Sequence, residues 1–137
     1  MKRAARAAAL DARRALSARD RYNASARICE RIVRSHEFRS CKLLGAYLPM
    51  PDEVDTTAVI ERAWSARKRV LAPVTDTHGV MNFCEIEADT VVTRNRYGLW
   101  EPASGTIIDA RDLDVVITPV VAFDEEIDRA GEEADPL

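Results

Sequence analysis

At 137 residues, with 47% hydrophobic and 31% charged residues, the chain is long enough for one buried core and ordinary for a globular domain. It holds no apolar run near the roughly 18 residues that span a bilayer, so none of its helices is expected to cross one. The net charge of −3 hides an asymmetry: residues 1–42 carry twelve Lys/Arg against four Asp/Glu, and residues 109–137 carry two against ten.

Met1–Ser17 is alanine-rich and predicts a helix. It is basic but has no apolar core or cleavage site of a secretory leader, and Asp11 and Asp20 spoil a transit-peptide pattern. Lys2 and Arg6 are four apart and share a face, with Arg13 about two turns further on. Ser17-Ala18-Arg19-Asp20 predicts a capping box between this helix and a second. In the second helix Ala24, Ile28, Cys29, Ile32 and Val33 form a core stripe, so Cys29 reads as a small buried hydrophobe.

Leu43–Leu48 predicts a short strand, closed by the stiff Pro49-Met50-Pro51 connection. Asp55 or Thr56 then caps a helix over Thr57–Arg67 that buries Val59, Ile60, Ala63 and Trp64. Val70–Val74 is the next strand, giving a strand–helix–strand unit with parallel strands and a right-handed crossover. Asp76-Thr77-His78-Gly79 is turn chemistry with an exposed histidine. The alternation of Met81–Ile86 predicts a strand, read as an antiparallel edge. Tyr97–Pro102 reads as an irregular aromatic loop that packs onto something. Val115-Val116-Ile117-Thr118 has the apolar, β-branched character of a strand buried on both faces, stopped by Pro119. Without repeats or linkers, residues 1–137 read as a single domain.

Cys29, Cys41 and Cys84 are odd in number and irregularly spaced, the pattern of free thiols in a reducing cytoplasm. The GxxxxGK[ST], GxGxxG, GxSxG and HExxH signatures are absent, and two histidines make a His-based zinc site a poor reading. Two constellations remain. Lys2 with Arg6 suits a phosphate, because arginine holds one bidentately, and equally suits a solvated helix face. Glu53 follows a strand's carboxyl end, where open α/β sheets place ligands, and reads equally as an acid favoured by the dipole of the next helix. The basic N-terminus has only Tyr22 among its cations, which argues against nucleic acid.

In order along the chain, Lys2-Arg3-Ala4-Ala5-Arg6, Arg13-Arg14-Ala15-Leu16-Ser17, Tyr47-Leu48-Pro49-Met50-Pro51-Asp52-Glu53-Val54-Asp55-Thr56, Arg67–Pro73, Met81-x-Phe83, Tyr97-Gly98-Leu99-x-Glu101-Pro102 and Asp114–Asp124 resemble the 5-formyltetrahydrofolate cyclo-ligase family, also called methenyltetrahydrofolate synthetase. The resemblance implies a three-layer α/β/α fold with a mostly parallel central sheet. It implies an ATP- and Mg2+-dependent ligase that converts 5-formyltetrahydrofolate to 5,10-methenyltetrahydrofolate: the formyl oxygen is phosphorylated, then the folate N10 closes the ring with loss of phosphate. Carried over by residue, Lys2 to Arg6 (with Arg3, Ala4 and Ala5 between) and Arg129 and Gly131 contact ATP, while Leu48 and Glu53 contact the folate. No residue here is assigned to metal or to the chemical step.

The match stops after Gly131. The family continues with a glycine run, whose backbone N–H groups can cradle phosphates, then Tyr-Tyr-Asp-Arg and a final strand-and-helix section. Here Glu132-Glu133-Ala134-Asp135-Pro136-Leu137 follows, so the sheet is expected to be incomplete at the C-terminus and activity impaired, the alternative being a non-catalytic folate-binding remnant. Back-translated, Gly131 to Asp135 read one frame over can give Arg-Gly-Gly-Gly, the outcome of a single-base frameshift. Sequencing the gene checks it: without Tyr-Asp-Arg coding downstream in another frame, the idea fails.

Overall fold

A computed structural model describes residues 2–119. The alanine-rich start forms α1 (Lys2–Ala15), and α2 (Ala18–Arg34) begins where Ser17 Oγ accepts the Asp20 N–H at 3.0 Å, the forward half of the expected capping box. The short α3 (His36–Ser40) leads into β1 (Leu43–Ala46), which is followed by α4 (Thr57–Ser65) and β2 (Arg69–Thr75). Asp55 rather than Thr56 satisfies the start of α4, its Oδ1 accepting from the Thr57 N–H at 2.9 Å and hydroxyl at 2.6 Å. Next come β3 (Met81–Ile86), β4 (Val92–Arg94), β5 (Trp100–Pro102), β6 (Ile107–Ile108), a 3-10 turn at Ala110–Asp112 and β7 (Val115–Ile117).

The main sheet runs β6-β3-β2-β1-β7. It is parallel across β2, β1 and β7 and antiparallel where β3 meets β2 and β6. The α/β class read from the sequence is therefore the one found, with a mixed sheet whose parallel part is its β1-centred half. Pleating sorts the strand residues. Leu44, Ala46, Val70, Ala72 and Ile86 face one way and join Cys29, Val33, Phe38, Val59, Ile60 and Ala63 of α2, α3 and α4 in one core. The opposite face carries Gly45, where a Cβ would stand within 2.9 Å of Leu113 and 3.1 Å of Phe83, so that a side chain would force them to shift. Among the described residues it is the β4–β5 hairpin, not a helix, that reaches toward β2 and β3 there, with Thr75 N–H donating to Glu101 Oε2 at 2.9 Å.

Three local expectations need correction. Met81–Ile86 is antiparallel but not the edge, because two-residue β6 pairs outside it. Tyr97–Pro102 is not irregular: Asn95 Oδ1 accepts from the N–H groups of Tyr97 and Leu99, and Gly98, at φ 78°, closes a turn between β4 and β5. β7 is not buried on both faces. Val115 and Ile117 pack on the helical core, but Val116 is 41% exposed, and β1 is the neighbour β7 has among the described residues. Apolar content cannot distinguish an edge strand from a central one.

Candidate active site

Parallel strands present their carboxyl ends to one side of a sheet, and in open α/β folds ligands bind there. Here the carboxyl ends of β1 and β7 open into a cleft of about 600 Å3. Ile28 and Ile32, the outer edge of the α2 stripe, give it an apolar wall, and Arg13 from α1, Tyr47, Glu53 and Thr118 give it polar groups. A second cleft of about 180 Å3 lies under the β4–β5 hairpin, between Leu48, Trp100 and Glu101. Tyr47, Glu53 and Pro119 line both, so Glu53 stands at their junction.

The loop that presents Glu53 is braced from within. Glu53 N–H donates to Met50 O at 2.9 Å, and Met50 N–H donates back to Glu53 Oε1 at 2.8 Å. Pro49 and Pro51 on either side of Met50 remove two donors and fix two φ angles, leaving this reciprocal pair to set the turn. Tyr47 reaches across the loop, its hydroxyl donating to Val54 O at 2.7 Å, and the buried Thr56 hydroxyl donates to Tyr47 O at 2.9 Å. Glu53 Oε2 has no hydrogen-bond partner among the described residues. One carboxylate oxygen thus holds the turn and the other is available to a ligand.

Burial, and then the nearby Glu53 charge, push the Tyr47 phenol well above the usual tyrosine range. It stays a neutral donor at any physiological pH. Burial also raises the Cys29 thiol, whose Sγ donates to Asp55 O at 3.2 Å. A raised, hydrogen-bonded thiol is no nucleophile, as its place on the core stripe implied.

Asp52 ties α1 to the same loop, 3.5 Å from both Arg13 Nη2 and Arg14 Nε. Lys2, Arg6 and Arg13 fall on one face of α1, with Lys2 half-buried and Arg6 exposed. Arg13, rather than Lys2 or Arg6, is the α1 cation that lines the cleft, while Arg3, Ala4 and Ala5 are exposed. Leu48 lies under the hairpin and also borders a groove against α4, beside Ile60 and Trp64. Arg129 and Gly131 lie outside the described residues.

Sequence reasoning left Tyr47 out of the site, and it placed Glu101 within a stretch, Tyr97–Pro102, read as structural or pocket-lining rather than catalytic, without giving the residue itself a role. Tyr47 had a signal, since it directly precedes Leu48 at the strand's carboxyl end. Glu101 had little, because its role depends on a long-range pairing: Oε2 accepts from Thr75 N–H and from Asn95 Nδ2 at 2.8 Å, fastening the hairpin over the smaller cleft. Among the described residues no group of three or more His, Cys, Asp or Glu could hold a metal.

The model of the 5-formyltetrahydrofolate cyclo-ligase family matches residues 1–132. A 5-formyltetrahydrofolate cyclo-ligase of Haemophilus influenzae is 29% identical over 120 residues, covering 85% of this chain and 64% of that protein. One from Escherichia coli is 36% identical over 96 residues, covering 64% of this chain and 50% of its own. The solved 5,10-methenyltetrahydrofolate synthetase of Aquifex aeolicus superposes with a TM-score of 0.84 at 25% identity, over 98% of this chain and 68% of that one. The chain thus spans about half to two thirds of the length of the curated relatives it matches. Since the family model runs through the α1 cations, the Tyr47–Thr56 loop and the strand at Val115, the match covers the cleft itself, and the chain belongs to the 5-formyltetrahydrofolate cyclo-ligase family.

Proposed function

We propose that this chain takes part in the ATP-dependent conversion of 5-formyltetrahydrofolate to 5,10-methenyltetrahydrofolate. The observation that carries the reading is Glu53, held by its own turn at the junction of two clefts with one carboxylate oxygen unspent. The smaller cleft, with Leu48 and Trp100, suits a flat heteroaromatic ring, and Glu53 suits the N–H groups on its edge. The larger cleft is lined by Arg13, whose face of α1 also carries Arg6 and Lys2, and cations of that face suit triphosphate charge. Arg129 and Gly131 complete that phosphate site in this reading.

The folate's formyl oxygen attacks the γ-phosphorus and ADP leaves. N10 then adds to the formyl carbon, gives up its proton, and the phosphorylated oxygen departs as phosphate. Tyr47, held neutral, and Ile28 and Ile32 shape the cleft and exclude water. Magnesium would neutralise charge on the phosphates; the described residues offer it no cage of their own, and such ions are commonly held by substrate phosphates with one or two carboxylates. The buried, unpaired Cys29, Cys41 and Cys84 fit a reducing cytoplasm.

A second reading, a folate-binding module without turnover, is favoured by Glu132 and Glu133. They put negative charge directly after Gly131, where phosphate is to be held. A coupled assay of ADP release and methenyltetrahydrofolate absorbance separates the two. ATP-dependent formation of the product supports the ligase, at a rate reduced by those acids. Protection of the chain against heat by 5-formyltetrahydrofolate without any product would replace it with the binding module, and neither effect would sink both.

A further inference from the structure

At the opposite end of the parallel strands, where β1 and β2 begin, Arg39, Lys42, Arg67, Lys68 and Arg69 line a cleft of about 540 Å3. Two of these five cations are committed. Lys68 Nζ donates to Cys41 O at 2.7 Å and Arg39 O at 3.2 Å and lies over the Phe38 ring, 5.2 Å from its centroid. Arg69 forks onto Glu85 at 2.6 and 3.1 Å. The side chains of Arg39, Lys42 and Arg67 make no hydrogen bond or ion pair among the described residues. Asp114 accepts at Oδ2 from the backbone N–H groups of Lys42 and Leu43, and its charge is also attracted to the Lys42 ammonium, with which it forms no ion pair.

Backbone strain marks the same place. α4 ends with Arg67 N–H donating to Trp64 O and Lys68 N–H donating to Ala63 O, the closed helix terminus whose left-handed residue is usually glycine. Arg67 occupies it at φ 63°, alone among the described non-glycine residues in having a positive φ. Helix carboxyl ends do attract cations, and that accounts for Lys68, whose ammonium meets the carbonyls of Arg39 in α3 and of Cys41, the residue that caps it. It leaves Arg67 unexplained, since glycine would close α4 with less strain, and it leaves Arg39 and Lys42 without a hydrogen bond or ion pair among the described residues. Strained residues of this kind cluster where a side chain is needed for binding.

We propose that this cleft binds a compact, multiply charged phosphate anion, held by Arg39, Lys42 and Arg67. Guanidinium groups match phosphate oxygens in pairs, and three cations without a hydrogen bond or ion pair among the described residues suit the charge of a pyrophosphate group, which would compete with Asp114 for Lys42. A nucleic acid is disfavoured because the aromatic ring at hand, Phe38, is buried beneath Lys68 and offers no stacking platform. The site is separate from the cyclo-ligase reading: it lies at the other end of the strands and uses neither Lys2, Arg6 nor Glu53.

The test is calorimetric titration of inorganic pyrophosphate into the full chain carrying Lys2→Gln, Arg6→Gln and Arg13→Gln, which removes the α1 cations given to the nucleotide, including the one that lines the active-site cleft. One salt-sensitive site is expected, weakened about tenfold by Lys42→Gln and at least tenfold by Arg67→Gly. Because Arg67→Gly also relieves the strained terminus, its Tm should rise, so lost binding cannot be laid to lost folding. Absent binding in the α1 background, or binding undiminished by both substitutions, overturns the proposal. So does a random 20-mer single-stranded DNA that binds as tightly as pyrophosphate and is lost with the same substitutions, which would make the surface a nucleic-acid one.

Discussion

The two ends of the parallel strands solve the same problem, closing a sheet against loops, in opposite ways. At the carboxyl end the loop Tyr47–Thr56 satisfies itself: Met50 and Glu53 bond each other, Tyr47 bonds Val54 and Thr56 bonds Tyr47. That leaves one oxygen of Glu53 directed at no partner among the described residues, in a cleft with an apolar wall. At the amino end the side chains spent on backbone reach residues far along the chain: Asp114 on Lys42 and Leu43, Lys68 on Arg39 and Cys41. The difference teaches where substitutions should act on function and where on stability. An internally braced loop can lose a ligand group and keep its shape, whereas an end stitched by side chains cannot lose one without loosening the fold.

Glu53→Gln tests this most severely. Gln Oε1 can still accept the Met50 N–H, so Tm should stay within about 2 °C, while the charge offered to the folate disappears. A fall of about 100-fold in kcat/KM is expected, the scale of a lost charge-assisted hydrogen bond. Turnover within threefold of the parent, measured by methenyltetrahydrofolate absorbance, would remove Glu53 from the site. Where the chain only binds folate, the same loss should appear in the dissociation constant.

Between the two ends, Gly45 is the point at which the sheet has no slack. A Cβ there would stand 2.9 Å from Leu113 Cδ1 and 3.1 Å from Phe83 Cε2. Leu113, half-buried, can shift its terminal methyl, but the Phe83 ring is buried and has little room to move, so the strain falls there. Gly45→Ala should cost about 1–3 kcal/mol as overpacking. For a chain of this size that is a fall in Tm of roughly 3–10 °C by calorimetry. An unchanged Tm would mean that the face opposite the helices is looser than its contacts indicate.

How much of this was legible beforehand depends on range. Ser17 and Asp20 declare the α2 cap within four residues, and Leu43 to Val74 declare strand, helix and strand within thirty-two, so both were readable. Glu53 was readable because two prolines and a strand end fix its place locally. Glu101 was not, since its function is a bond to Thr75, twenty-six residues away. β7 was misread for the same reason: its composition says buried, but exposure at Val116 depends on which strands lie beside it. The hairpin turn was missed although Asn95 and Gly98 stood at the spacing of a turn, because the aromatic residues around them drew the reading toward packing. Arg67 gave no sign at all, since nothing about a Lys/Arg run announces a left-handed residue.

Arg67→Gly measures the amino end directly. Glycine adopts φ near 63° without the clash of a Cβ, and the hydrogen bonds from the 67 and 68 N–H groups are kept. A gain of about 1 kcal/mol, or a Tm raised by roughly 3–5 °C, is expected. A lower Tm would show that the Arg67 side chain contributes more to the fold than its backbone costs.

The smallest effect concerns Asp114 and acts through pH. The N–H groups of Leu43 and Lys42 hold its carboxyl below the ordinary value of 3.8. A depressed folded-state pKa means that the stabilisation is complete above the ordinary value and is lost as pH falls through the lower folded one. Glu85, held down by Arg69, and Asp109, held down by Arg111, titrate in the same acid window, so the parent should lose stability there whatever Asp114 does. The variant isolates the one group. Asp114→Asn keeps a neutral oxygen that can accept from Lys42 or Leu43, so it should be only slightly less stable than the parent at pH 7, and the gap should close as pH falls below the ordinary carboxylate value. Melting curves of both proteins across that range supply the check. A gap that stays constant with pH would mean that Asp114 acts through shape rather than charge, and that the amino end is stitched by geometry alone.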